Sequence, residues 1–347
     1  MMIQRSARGL RSLMQTFRVN SFHSKLGAYF NYTTSPQQVF EQHAYSDDEY
    51  ADIDWDNLGF SFVQTDYMYS MKCSKDERFE EGQLTRYGNI ELSPSAGVLN
   101  YGQGVFEGTK AYRKEDGNIL LFRPDQNAIR MKIGAERMCM PCPSIDQFVD
   151  AVKQTALANK RWVPPAGKDG LAPLNIYVED EYDRASRGGV GGVKTVSNYA
   201  PVLKAMNRAK NRGFSDVLYL DSVHKKYLEE VSASNIFIVK GNVISTPTTN
   251  GTILPGITRK SIIEIAQDLG YEVEERLIPV DELANADEIF CTGTAVVVAP
   301  VGSITYRHKR MEYSTGAQTI SWKLYSNLVG IQMGLIRDTK GWTVDVQ

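Results

Sequence analysis

The chain has 347 residues, 42% of them hydrophobic, enough for two domains with cores of their own. Its 39 Lys and Arg against 41 Asp and Glu leave a net charge of −2, and its few basic clusters lack interleaved aromatics, so nucleic acid is not an expected partner. No apolar run approaches the about 20 residues of a membrane-spanning helix, so no membrane partner is expected either. In chain order, residues 1–40 stand apart: they hold Arg5, Arg8, Arg11, Arg18 and Lys25, many Ser and Thr, and no acidic residue precedes Glu41. This composition is like that of an organellar transit peptide, the alternative being a disordered basic tail. The near-helical spacing of Arg5, Arg8 and Arg11 among Leu10, Leu13, Met14 and Phe17 offers a basic amphipathic helix, which favours mitochondrion over plastid.

Acidic, turn-rich sequence from Ser46 to Asp56 leads into short strand-like runs, and "RYGNIELSPSAGVLNYGQGVFEGTKAYR" alternates apolar residues with glycines, so an α/β or α+β first domain is expected. A helix opening near Pro124 and Asp125 presents Ile129, Ile133 and Met138 at helical spacing. A second opens with the S-x-x-Q capping box of Ser144 and Gln147 and carries Phe148, Val149, Val152, Ala156 and Leu157. Cys139 and Cys142 form a C-x-x-C with no second pair, and the histidines are distant, so no metal site is expected; Cys73 and Cys291 complete a set too sparse for a disulfide framework. "WVPPAGKDGLAP", residues 162–173, reads as a linker.

Beyond it, "GGVGGVKTVSNYA" sets Lys194 among small uncharged residues, with Tyr199 five positions on. Such a lysine is either an ordinary solvated group or a desolvated amine whose lowered pKa frees it as a nucleophile or base. "DVLYLD", "NIFIV" and "VIST" read as strands, the last two joined by a turn at Lys240, Gly241 and Asn242. "LEEVSASNIFIV" places Glu229 and Glu230 before an apolar strand. "GTILPGITRKSIIEIA" has P-loop spacing but puts Ile257 where a nucleotide-binding lysine belongs. It instead feeds a glycine turn into a helix ending at Gly270, whose first amides near Gly256, Ile257 and Thr258 make either a phosphate seat or an ordinary loop-to-helix junction. "YEVEERLIPV" follows as a strand, and "CTGTAVVV" adds the hydroxyls of Thr292 and Thr294.

A reactive lysine, a phosphate seat and a carboxylate able to hold a protonated pyridine are what pyridoxal 5'-phosphate requires of a protein. With "LNYGQGVFEGTKAYR" and "ADEIFCTGTA", these motifs resemble the branched-chain amino acid aminotransferases of the eukaryotic, plant-like type, in the fold-type IV (class IV) group, from about Tyr50 to the C-terminus. The resemblance implies a two-domain α/β (α+β) fold. Behind the leader at 1–40, a smaller N-terminal α/β domain spans 45–168, a shortened interdomain segment 169–190, and a larger C-terminal pseudo-barrel domain 191–347.

Carried over position by position, the resemblance implies that Lys194 holds pyridoxal phosphate and shuttles the Cα proton, while Tyr199 bonds the cofactor's phenolic oxygen and Glu230 its pyridine nitrogen. Arg130 would clamp the phosphate with the Ile257 and Thr258 amides and Thr294, and Leu254 would pack on the ring face. Tyr101 and Phe106 would wall the side-chain pocket, and the backbone at Thr294 and Ala295 would receive the substrate carboxylate. The implied activity is reversible ping-pong transamination of leucine, isoleucine or valine with 2-oxoglutarate by a homodimer. The family also carries, between W-V-P-P-x-G-K and G-x-x-x-L-N-L-Y-V-E, a few dozen residues with an L-Y-I-R-P-L segment; here "WVPPAGK" runs straight into "DGLAPLNIYVEDE", implying a block missing between Lys168 and Asp169. Two alternatives stand beside this reading. One is a truncated, impaired isoform that only dimerises or binds cofactor; the other is a different fold-type IV chemistry, a D-amino acid aminotransferase or an aminodeoxychorismate lyase.

Overall fold

The computed structural model describes residues 50–57, 62–74, 77–166 and 172–346, so the expected leader at 1–40 and the Lys168–Asp169 junction lie outside the described residues. Strand β1 (Tyr67–Ser70) pairs antiparallel with β2 (Gln83–Arg86), and the short helix α1 (Gly97–Tyr101) turns out at Gly102, whose φ of 61° suits glycine. An antiparallel pair, β3 (Ala111–Arg113) and β4 (Ile119–Phe122), precedes helix α2 (Pro124–Arg137).

The face α2 buries is not the one its isoleucines predict. Ile133 is 52% exposed and Ile129 is exposed as well, while Asn127, Ala128, Arg130, Gly134 and Ala135 are buried. The reason is close approach: a Cβ at Gly134 would already lie 3.3 Å from Val105, so the small-residue face is the one that fits against the neighbouring segment. That choice turns Arg130 inward. Helix α3 (Ile145–Ala158) has both halves of its expected capping box: Gln147 N donates to Ser144 Oγ at 3.1 Å, and Ser144 N to Gln147 Oε1 at 3.0 Å. Its Val152 and Ala156 pack on Ile119, Leu121, Val163 and Val346.

The larger unit is one mixed sheet of nine strands: β5 (Leu174–Glu179), β6 (Asp216–Leu220), β7 (Leu228–Val231), β8 (Asn235–Lys240), β9 (Val243–Pro247), β10 (Glu272–Arg276), β11 (Glu288–Gly293), β12 (Val297–Tyr306) and β13 (Lys309–Glu312). The spatial order is β10-β9-β8-β11-β12-β5-β6-β7, with β13 hairpinned onto β12. Terminal β7 also touches β8 and β9, so the sheet curls into a half-barrel. Residues 174–179, within the stretch expected to join the domains, form the strand between β12 and β6. The β8–β9 turn falls where it was read, with Gly241 at φ 57°.

Both faces of the central strands are covered. Along β8, Ile236 and Ile238 enter a core with Ile176, Leu218 and Ile289, while Phe237 and Val239 enter another beneath helices α5 (Ile257–Asp268) and α6 (Ile320–Gln332), numbered after α4 (Val202–Lys210) on β6. A strand buried on both faces needs apolar residues in unbroken succession, and "NIFIV" supplies them. The chain then returns to the first unit: β14 (Thr343–Asp345) pairs with β4, and Trp342 packs edge-on against Phe122 with ring centroids 5.7 Å apart.

Candidate active site

The glycines before Lys194 exist because backbone meets backbone there. A Cβ on Gly191 would overlap the Thr252 carbonyl, one on Gly192 would meet Gly251 at 3.0 Å, and Gly192 N donates to Gly251 O at 2.8 Å. On the other side Thr195 Oγ1 donates to Gly104 O at 2.8 Å, Phe106 N to Lys194 O at 3.0 Å, and Asn198 Nδ2 ties the turn shut through the Val190 and Val193 carbonyls, both at 2.8 Å. The lysine stem is therefore fixed between two loops. Its Nζ donates to Tyr199 Oη at 3.0 Å and lies 4.4 Å from the centre of the Phe106 ring, which meets Tyr199 edge-on at 4.9 Å. Burial lowers the Lys194 pKa to about 8, and Arg130 adds to the effect; Glu107 and Glu230 oppose it. Burial likewise raises the Tyr199 phenol to about 12.

Glu230 on β7 is buried, with its side chain 2% exposed. Leu254 N donates to its Oε1 at 2.8 Å, Asn235 Nδ2 to its Oε2 at 3.4 Å, and Arg184 Nη1 forms an ion pair with Oε1 at 2.8 Å. Desolvation raises its pKa to about 7, held back chiefly by Arg184 and then by the Leu254 amide. Asn235 Nδ2 also donates to Leu254 O at 2.9 Å, so Leu254, half-buried, is held from both its amide and its carbonyl.

At the start of α5, Ile257 and Thr258 are buried, and the N-cap residue, Gly256, brings no side chain to the first-turn amides. They line a cavity of about 20 Å³ with Gly108, Asn127, Thr294 and Gln332, whose Oε1 is buried without a hydrogen-bond partner among the described residues. Thr294 Oγ1 donates to Gly108 O at 3.1 Å. Arg130 reaches the same region, with Glu107 gripping it from Nε at 2.8 Å and Nη2 at 2.7 Å while Nη1 donates to Pro255 O at 3.2 Å.

Lys194, Tyr199, Glu230, Leu254, Arg130 and Phe106 thus share one environment, coupled by the contacts above. Ala295 is exposed beside it, its carbonyl accepting from Lys110 Nζ at 2.9 Å. Tyr101 is not gathered in: on α1 it is 84% exposed, and among the described residues its ring contacts none of the others. Three residues escaped the sequence reading. Glu107 lies in the quoted "VFEGTK" but carries no local sign of pairing with Arg130; Arg184 and Asn235 reach Glu230 only through the sheet.

These groups fit pyridoxal phosphate. An amine of lowered pKa suits its aldehyde, open helix amides with an arginine suit its phosphate, and the buried Glu230 carboxylate, already against Arg184, Asn235 and the Leu254 amide, has acceptor capacity left for the N–H of a pyridinium. The profile of the amino-transferase class IV family matches residues 161–304. The chain is 63% identical over 338 positions to branched-chain-amino-acid aminotransferase 2, chloroplastic, of Arabidopsis thaliana, a match covering 86% of this chain and 87% of that one. It is 57% identical over 385 positions to branched-chain amino acid aminotransferase 1, mitochondrial, of Humulus lupulus, covering 97% and 98%. Among solved structures, the branched-chain amino acid aminotransferase from Escherichia coli superposes with a TM-score of 0.70 at 25% identity, over 82% of this chain and 100% of that one.

Proposed function

The chain belongs to the branched-chain amino acid aminotransferases of class IV, and from that premise we propose that it moves the amino group of leucine, isoleucine or valine reversibly onto 2-oxoglutarate in a ping-pong cycle. The observation that carries this reading is the Lys194 amine, desolvated and 3.0 Å from the Tyr199 hydroxyl. Pyridoxal phosphate, when bound, supplies the aldehyde that captures amines and the ring that takes up electrons from the substrate's Cα.

Lys194 supplies the amine that holds the cofactor and, once displaced by substrate, the base that takes the Cα proton. Tyr199, through its hydroxyl, orients Nζ. Glu230 holds a proton at the ring nitrogen. The first amides of α5 and Arg130 bind the phosphate, with Glu107 fixing the plane of the guanidinium so that the second N–H of Nη1, beside the one given to Pro255 O, remains for the ligand. Phe106 covers the amine and excludes water from one side. Ala295 and Thr294 border the side that receives the substrate carboxylate.

We further propose a homodimer, in which a second copy covers apolar surface such as Ile129, Ile133 and Leu99. Relatives are named for both chloroplast and mitochondrion; the arginine spacing near the N-terminus supports mitochondrial targeting. Incubating the purified chain with leucine, D-alanine or aminodeoxychorismate, each with its co-substrate, tests the assignment: leucine-dependent glutamate formation is expected, and turnover of either other substrate alone contradicts it.

One finding favours a second reading, in which the chain binds cofactor and pairs with a complete subunit while turning over slowly. The match to the Humulus lupulus protein spans 385 positions, more than the 347 residues of this chain, so that relative carries residues within the matched span that this chain lacks; the motif spacing in the sequence is what suggests Lys168–Asp169 as their place. A cofactor band that ignores leucine, with activity appearing on insertion of the relative's segment, is the outcome this reading expects.

A further inference from the structure

Glu230 can hold a proton on a pyridine nitrogen only while it is itself an anion, and its surroundings work against that. It is buried in the sheet, Glu229 is its chain neighbour, and burial already lifts it to about 7. The groups facing it are Arg184 from the loop after β5, Lys194 from the glycine turn, Asn235 at the start of β8, the Leu254 amide ahead of α5, and Glu229 on its own strand. Only two of these are cations. Lys194 ceases to be a free ammonium when its amine is engaged, whereas a guanidinium stays charged at every working pH. Arg184 Nη1 stands 2.8 Å from Glu230 Oε1, both side chains are 2% exposed, and neither its Nη1 nor its Nε makes a hydrogen bond among the described residues, so the contact is one of charge.

We propose that Arg184 is a positioning residue that keeps Glu230 ionised, and so keeps the cofactor's ring nitrogen protonated, by lying as a permanent buried cation against Oε1. This rests on the reading of Glu230 as the partner of that nitrogen. Arg184 need touch neither substrate nor cofactor; it acts through the carboxylate.

The test uses the full chain reconstituted with pyridoxal phosphate labelled with nitrogen-15 in the ring, whose chemical shift reports protonation of that nitrogen directly. Wild type should show a protonated nitrogen across neutral pH. Arg184→Met and Arg184→Gln, which remove the charge, should lose that signal, and Arg184→Lys should restore it at neutral pH. A folded neutral variant that keeps the protonated signal overturns the proposal. Should neither neutral variant fold, Arg184→Lys decides, because a buried ammonium gives up its proton far more readily than a guanidinium: the nitrogen should then deprotonate at least about one pH unit below wild type, and an unchanged titration overturns the proposal. Glu230→Gln separates the two claims. If it leaves the nitrogen protonated, the assignment of Glu230 fails; if it deprotonates the nitrogen while Arg184→Met does not, only the role of Arg184 fails.

Discussion

An amine at position 194 is useful in proportion to the fraction of it that is uncharged. With a pKa of about 8, about a tenth is neutral at pH 7, hundreds of times more than for a solvated lysine. Cofactor uptake by the apo chain should therefore accelerate as pH rises and level off above about 8, and stopped-flow absorbance showing a flat profile would count against this account. Lys194→Ala should lower turnover by at least about 10²–10⁴-fold, the scale of losing a placed proton carrier. Glu230 makes a prediction of opposite sign. Its pKa rises on folding from 4.5 to about 7, so the folded chain binds that proton more tightly. Its stabilising contribution is complete below about 4.5 and disappears as pH climbs through about 7. Thermal midpoints of the apo chain should fall across that window, and the fall should be smaller in Glu230→Gln, with Glu229 and Asp216, also raised by desolvation, keeping the remainder. Lys194, Tyr199 and Glu230 were legible because each sits inside a local motif. Arg184 was not: it is one of two arginines in "DEYDRASRGG", and only the sheet, with β6 between β5 and β7, carries it to the carboxylate.

Among elements, α3 and α5 could be read almost to the residue because their ends are marked by local chemistry, a capping box and a glycine turn. Ser144→Ala should cost about 1 kcal/mol in urea denaturation, the usual worth of such a cap. Helix α2 misled because hydrophobic spacing reports only which residues prefer burial. The face was decided by Gly134, the residue small enough to sit 3.3 Å, measured from its would-be Cβ, from Val105. The same logic applies at the entry to α5. A methyl at Gly256 would overlap Asn235 Oδ1, the amide that links Leu254 to Glu230. Gly256→Ala should therefore weaken cofactor retention in equilibrium dialysis while leaving the circular dichroism of the chain unchanged; undiminished retention would show that this junction does not matter to the site.

For the whole molecule, the α/β class and the strands of the larger sheet followed from runs such as "NIFIV" and "DVLYLD", but the closure did not. Nothing near residue 342 announces that β14 crosses back to β4, because the partner surface of Phe122 and Arg123 lies far away in the chain. Trp342 buries its ring in the core shared by β4, α5 and α6, so Trp342→Ala should cost about 3–5 kcal/mol in denaturant unfolding. In the proposed function these contacts serve one end, a single amine placed to take an aldehyde. The most direct test is to load the chain with pyridoxal phosphate, reduce with borohydride and map the labelled peptide. The label is predicted on Lys194 alone; a label on another lysine, or none at all, would contradict the account.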